Sequence, residues 1–206
     1  MGRNMAMTPP RKLAVIRWIA VFLALLPLVA RGAGPAVVFL GDSLTAGYTL
    51  PQSAAYPALL EQTLGITAIN AGVNGNTSAD GLARLDRDVL AYQPRIVVVE
   101  LGINDHRRRI PAEQTLQNLE AIAQRIRQSG ARLVLVHVNP VLGPDPLLRG
   151  LRDLARRHGA VLVEDLLRGI ITDPDLRVDM VHPNARGHQT MAERLRPILA
   201  KLLQTR

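Results

Sequence analysis

The chain has 206 residues, 48% of them hydrophobic and none of them cysteine, with a formal charge of +8. That length suits one domain with a full core and is short for two. The lack of cysteine excludes a disulfide framework, a thiolate metal site, a cysteine nucleophile and a lipid-anchor cysteine.

The positive charge invites a nucleic-acid reading, which the N-terminal segment removes. Arg3, Arg11, Lys12 and Arg17 precede an unbroken apolar run from Trp18 to Ala30, and small residues follow at Gly32, Ala33 and Gly34. Charge, apolar run and small residues in that order predict a signal peptide over residues 1–32, cut after Gly32 or after Ala33. As a helix the run reaches roughly 20 Å, short of the ~30 Å of a hydrocarbon core. Pro27 and Arg17 also suit a permanent anchor poorly. The expected home is the periplasm or the medium, with at most transient membrane contact. With Arg3, Arg11, Lys12, Arg17 and Arg31 removed, and no acidic residue lost with them, the remaining domain over 35–206 is close to neutral, so no nucleic-acid partner is expected.

Within that domain, short β-rich runs occur at Val37 to Leu40, Ile66 to Asn70, Ile96 to Leu101, Leu133 to Val138 and Val161 to Val163. Unbroken hydrophobicity, rather than alternation, predicts strands of a parallel sheet covered on both faces. Between them lie stripes at helical spacing: Tyr56, Leu60, Leu64; Leu82, Leu85, Val89; Leu116, Leu119, Ile122, Ala123, Ile126; and Leu147, Leu151, Leu154. A last helix is expected from about Asn184 toward Leu203, kinked at Pro197. Five strands alternating with helices predict an α/β, three-layer, doubly wound sheet with right-handed crossovers, in the flavodoxin-like order 2-1-3-4-5.

In such a sheet ligands bind beyond the carboxyl ends of the strands. Ser43 follows the first strand, in Gly41-Asp42-Ser43-Leu44, and can present its hydroxyl and its own amide together. Gly75 follows the second strand and allows close approach of a backbone N–H to a bound carbonyl, and Asn104 puts a side-chain amide after the third. Asp179 stands three residues before His182, and Pro183 biases that histidine to extended backbone and suits the first turn of the next helix. Singly, each has an ordinary explanation: a helix cap, a turn glycine, an Asx turn, a surface pair. Their order and shared location make coincidence the costlier reading.

These blocks resemble those of the SGNH or GDSL-like hydrolases, from about Val37 to Leu203, and the thioesterase/lysophospholipase L1 (arylesterase) branch in particular. Gly41-Asp42-Ser43-Leu44 resembles the nucleophile motif, Asn70 through Ser78 the glycine block, Gly102-Ile103-Asn104-Asp105 the Gly-x-Asn-Asp block, and Asp179-Met180-Val181-His182-Pro183 the Asp-x-x-His-Pro block. The resemblance matches Gly75, rather than Gly72, to the oxyanion glycine. Val138 through Pro144 departs from the branch's Pro-x-Asn-Tyr-Gly-like loop, which borders the acyl pocket.

The expectation is therefore a cofactor-independent serine esterase acting on aryl esters, thioesters or lysophospholipids. Ser43 attacks the acyl carbon, His182 moves the proton, Asp179 orients the imidazole, and Ser43, Gly75 and Asn104 form the oxyanion hole. A carbohydrate O-deacetylase with the same triad, and a non-catalytic lipid- or glycan-binding protein on the same scaffold, are the alternatives. Asp42 and Asp105 are expected to brace loops. His137 ends a strand and His158 a helix, while His106 and His188 are expected at the surface, and none of the four has an evident partner. No metal site is expected, because only Asp179 with His182 approaches ligand spacing. Arg107-Arg108-Arg109 reads as a solvated face.

Overall fold

A computed structural model describes residues 1–2, 35–139 and 145–205. The chain divides into two units, Met1–Arg31 and Gly32–Arg206, and every element below belongs to the second. Apart from residues 1–2, the expected signal peptide lies outside the described residues. Among those described, no helix is long and apolar enough to cross a membrane.

Five strands, β1 (Val37–Gly41), β2 (Ala68–Gly72), β3 (Ile96–Glu100), β4 (Arg132–Val136) and β5 (Val161–Val163), form one sheet in the order 2-1-3-4-5. Every pairing is parallel, with Phe39 opposite Asn70 on one side and Val98 on the other. All residues of β1 and β3 are buried, as a sheet sandwiched between helix layers requires. The second strand starts two residues later than its hydrophobic run suggested. Ile66 and Thr67 belong to the approach, where Ile66 N–H still bonds back to Glu61 in the preceding helix.

Alternate residues of the strands point into two separate cores. Val37, Phe39, Val98, Val134 and Val136 pack with α2 (Tyr56–Leu64) and α7 (Ala185–Gln204), whose Tyr56, Leu60, Met191, Leu195 and Leu199 are buried there. Val38, Leu40, Val97, Val99, Leu133 and Leu135 face α3 (Ser78–Asp88), α5 (Ala112–Gln128) and α6 (Pro146–His158). Each fully buried aliphatic or aromatic side chain contributes about 1.5–3 kcal/mol relative to exposure, so these stripes fix the helices to the sheet.

Local signals set the helix ends. Thr77 and Asp80 make a reciprocal capping box at the start of α3. Asp145 caps α6 by accepting from Leu148 N–H, and Gly65 and Gly159 close α2 and α6 in left-handed conformation. Asn184 caps α7 by accepting from the amides of Arg186 and Gly187. Pro183 therefore lies before the cap rather than in the first turn, paired with Arg177 in an isolated antiparallel bridge. Helix α7 continues through Pro197 to Gln204.

Three histidines differ from expectation. His188 is 1% exposed, because it sits on the inner face of α7. Its Nδ1 accepts from Tyr56 N–H at 3.1 Å, and its ring stacks on that of Tyr56. His137 Nε2 lies 2.7 Å from Asp145 Oδ2, and His158 Nε2 lies 2.5 Å from Glu120 Oε1. Sequence separation hid these partners. His106 is exposed, as expected.

Burial lowers the pKa of His188 to about 4, with the charge on His182 acting the same way. An unfolded chain takes up that proton near pH 6.5, so between 6.5 and 4 the unfolded state binds more protons and folding weakens as pH falls. The full window is worth about 3 kcal/mol. Urea unfolding of wild type and His188→Gln should therefore give a stability difference that shrinks as pH drops through this window. The difference isolates His188 from carboxyl groups that titrate in both proteins. A constant gap between pH 7 and 4 would show that the ring is not held neutral.

Candidate active site

Ser43 opens α1 (Ser43–Ala46), a single turn packed where β1 ends. Asp42 caps this turn by accepting from Leu44 N–H at 2.9 Å. The glycine at 41 is required by packing, since a Cβ there would meet Thr45 Oγ1 at 2.0 Å and the Glu100 carbonyl at 2.9 Å. Asn70 holds the far side of the turn: its Nδ2 donates to Thr45 O while its Oδ1 accepts from Gly72 N–H.

His182 arrives from the other end of the chain. Asp179 Oδ1 accepts from the amides of Val181 and His182 at 2.7 and 2.8 Å, which curls the loop into an Asx-type turn. Val178 N–H bonds to His182 O, and Asn184 N–H to Leu176 O. Asn184 Nδ2 also donates to Asp175 O, so one side chain both caps α7 and closes the base of the histidine loop.

The three residues expected to act together meet. Ser43 Oγ is 3.1 Å from His182 Nε2, and His182 Nδ1 is 2.8 Å from Asp179 Oδ2. The Ser43 side is buried, whereas the Asp179 side chain is 48% exposed. The hydrogen bond from His182, helped by the Val181 and His182 amides, lowers the Asp179 carboxyl to about 2. Tyr48, just past α1, lays its ring on that of His182, with centroids 4.5 Å apart at 41°.

The three expected oxyanion donors are placed differently from one another. Ser43 N–H and Gly75 N–H have no acceptor among the described residues. Gly75 takes φ +77°, a conformation that favours glycine, and its carbonyl accepts from Arg108. No hydrogen bond links Gly75 directly to Ser43 or His182. Asn104, in α4 (Ile103–Arg107), is buried, and its Nδ2 lies 3.0 Å from both Asp42 Oδ2 and Asn76 O. Its amide is thus held at the edge of the serine turn by acceptors that a developing oxyanion would have to share.

Asp105 braces the neighbouring loops as expected, accepting from Ser78 N–H, Ser78 Oγ and Thr115 Oγ1. Arg107, Arg108 and Arg109 are exposed. Among the described residues no group of three or more His, Asp or Glu is placed to hold a metal ion.

Two residues carry weight that the sequence reading missed. Arg84, 8% exposed, sends NH2 to Gly41 O at 2.9 Å and Nε to Asn76 Oδ1 at 2.6 Å, tying the serine strand to the Gly75 loop. A charged residue in a largely polar helix gave no sign that it is buried among Ser78, Gly81 and Leu85. Glu100, 1% exposed, was read as part of an apolar strand.

A serine, an imidazole and a carboxylate chained by hydrogen bonds at the carboxyl edge of a doubly wound parallel sheet form the constellation of a serine hydrolase. Comparison with known proteins narrows that class. Residues 39–190 match the GDSL-like Lipase/Acylhydrolase family, and the chain belongs to it. The thioesterase 1/protease 1/lysophospholipase L1 of Escherichia coli K12 is 34% identical over 203 residues, covering 90% of this chain and 95% of the relative. An arylesterase of Vibrio mimicus is 32% identical over 200 residues, covering 92% and 100%. The crystal structure of TesA superposes with a TM-score of 0.75 at 31% identity, over 81% of this chain and 98% of that one. The protein is an enzyme that hydrolyses ester bonds.

Replacing Arg84 with Met should leave Asn76 Oδ1 without this donor and Gly41 O with Val73 N–H alone, at about 1–3 kcal/mol. Urea denaturation should register a loss in that range or above. Ester hydrolysis should fall mainly in kcat, because the Gly75 loop loses its side-chain tie to the serine strand and keeps only Val73 N–H to Gly41 O. Unchanged stability with unchanged kcat would remove Arg84 from this account.

Proposed function

We propose that the protein is an exported serine esterase that works through an acyl-enzyme on Ser43. The observation that carries this reading is the continuous hydrogen-bonded line from Ser43 Oγ through His182 to Asp179. His182 Nε2 takes the serine proton as Oγ attacks the acyl carbon, and the C–O or C–S bond then breaks as the imidazolium returns the proton to the leaving group. Water, deprotonated by the same nitrogen, releases the acid and restores the serine. Asp179, held low in pKa by its bond to His182, stays ionised throughout the neutral range and fixes Nδ1–H.

The negative oxygen is received by Ser43 N–H, Gly75 N–H and Asn104 Nδ2. The two amides are supported as donors by having no other acceptor among the described residues. Asn104 is supported by its seat against Asp42 and Asn76, two residues bordering the serine and the glycine. The chemistry draws on no cofactor or metal.

Aryl esters, thioesters and lysophospholipids are the substrate classes we assign, following the activities for which the relatives are named. Export rests on the signal-peptide pattern of residues 1–32. It predicts a mature N-terminus at Ala33 or Gly34, readable by mass spectrometry of the protein recovered from periplasm or medium.

Substitutions should give a graded loss of hydrolysis of a short p-nitrophenyl ester. Ser43→Ala and His182→Ala should be nearly inactive, Asp179→Asn reduced about 10⁴-fold, and Asn104→Ala reduced about 10²- to 10³-fold. A Ser43→Ala protein with wild-type turnover would falsify the mechanism. Profiling p-nitrophenyl esters from acetate to palmitate tests the substrate class. Strict acetate preference together with release of acetate from acetylated glycans would turn the assignment to a deacetylase.

A further inference from the structure

Below the serine turn lie two buried carboxyl groups that the proposed chemistry does not use. Asp42 is 0% exposed and Glu100 1%, and the β1–β3 register sets Glu100 opposite Gly41, one residue from Asp42. The two carboxyl groups are near enough to act on each other: Asp42 pushes the Glu100 carboxyl up, and Glu100 pulls the Asp42 carboxyl down. Two carboxylates in such contact cannot both ionise cheaply, so at least one proton resides between them.

The donors around the pair decide where it sits. Asp42 accepts from Leu44 N–H at 2.9 Å and from Asn104 Nδ2 at 3.0 Å, so both its oxygens are met by donors. Glu100 Oε2 accepts from Thr45 Oγ1 at 3.0 Å, and Thr45 Oγ1 lies 2.8 Å from Tyr56 Oη. With Thr45 donating to Glu100, Tyr56 donates to Thr45, and the remaining Glu100 oxygen is free to carry a proton toward Asp42. Of the titratable or charged groups on the elements around the pair, the buried or part-buried ones include His182 on its loop, Arg84 on α3 and Asp105 on α4, while His106 and Arg107 on α4 and Asp80 and Arg87 on α3 are exposed. Arg84 bonds to Gly41 O, and His188 on α7 is met by Tyr56 N–H. Asp105 is already met by Ser78 and Thr115.

We propose that Glu100 is a positioning residue: it remains protonated and donates to Asp42. The pair thereby carries one negative charge that holds Leu44 N–H and the Asn104 amide in place, without a second charge beneath the oxyanion site. Burial raises both groups, Asp42 to about 6 against the opposing pull of Leu44 N–H, Glu100, His182 and Asn104, and Glu100 well above the ordinary range. This proposal rests on the esterase reading above, because the group that Glu100 ultimately positions is the Asn104 donor.

The test compares Glu100→Gln, Glu100→Leu and Asp42→Asn. Glutamine reproduces a neutral group with one donor toward Asp42 and one acceptor for Thr45, so it should keep kcat within about 3-fold of wild type. Glu100→Leu should lower kcat about 10- to 100-fold with little change in KM, as part of one oxyanion donor's contribution is lost. Asp42→Asn, which removes the acceptor for Asn104, should be at least as damaging. Infrared spectra at about pH 8, where exposed carboxyls are ionised, should show a carboxylic-acid C=O stretch in wild type that is absent from Glu100→Gln. That band is read without the leucine variant, should the latter not fold. A Glu100→Gln protein as impaired as Glu100→Leu, or a band missing from wild type or retained in Glu100→Gln, overturns the proposal. Stoichiometric labelling of Ser43 by a fluorophosphonate keeps the two readings apart: loss of labelling in wild type defeats the acyl-enzyme mechanism, while the infrared band still decides the state of the pair.

Discussion

One hydrogen bond, Ser43 Oγ to His182 Nε2, joins residues 139 apart in the chain, and the arrangement of the site follows from what that contact requires. A serine at the end of β1 has a fixed position because β1 is central, paired on both sides and wholly buried. The histidine has no strand to fix it. Its loop is held by main-chain bonds of Val178 and Asn184, by the Asp179 turn and by the seat of α7 on the sheet. Closing so long a separation costs loop entropy that a single weak bond cannot offset. The burial of Met191, Leu195 and Leu199 offsets it instead, so the packing of the last helix is also what delivers the imidazole.

The same logic governs the residues proposed as oxyanion donors. Gly75 stands in the loop after β2 and Asn104 in α4 after β3. Arg84 from α3 joins the serine strand to Asn76, and Asp42 joins the serine turn to Asn104. Both ties are buried and charged, and so they are directional at a cost that apolar packing would not carry. Such donors remain in position before substrate arrives, which is the condition for electrostatic stabilisation of a developing charge.

Much of this was legible in the sequence because it rests on local periodicity and turn chemistry. The five apolar runs gave the strands and, through the right-handed crossover rule, their order. Ser43, His182 and Asp179 were legible because a strand end, a turn-length spacing and a proline mark their places. His188 was misjudged for a physical reason: a histidine at the start of a polar helical stretch gives no sign that Tyr56, 132 residues earlier, presents an unpaired amide to it. Glu100 was hidden by its neighbours, since Val97, Val98 and Val99 make the strand read as apolar throughout. Pairings between distant polar residues leave no periodic trace, and here they are what sets the electrostatics.

The divergent fates of the carboxyl groups explain why Asp179, and not the nearer Asp42, partners the imidazole. Asp42 directly precedes the serine but is sunk below it, where both oxygens are occupied by Leu44 N–H and Asn104 and its charge is disfavoured by burial. Asp179 is half in water, accepts two amides through one oxygen and presents the other to Nδ1. Its ionised form is favoured before any substrate binds, and solvent can respond as charge develops on the ring. In the proposed mechanism the exposed aspartate is therefore suited to meet a charge that appears and disappears with each turnover, and the buried one to hold geometry that must not change.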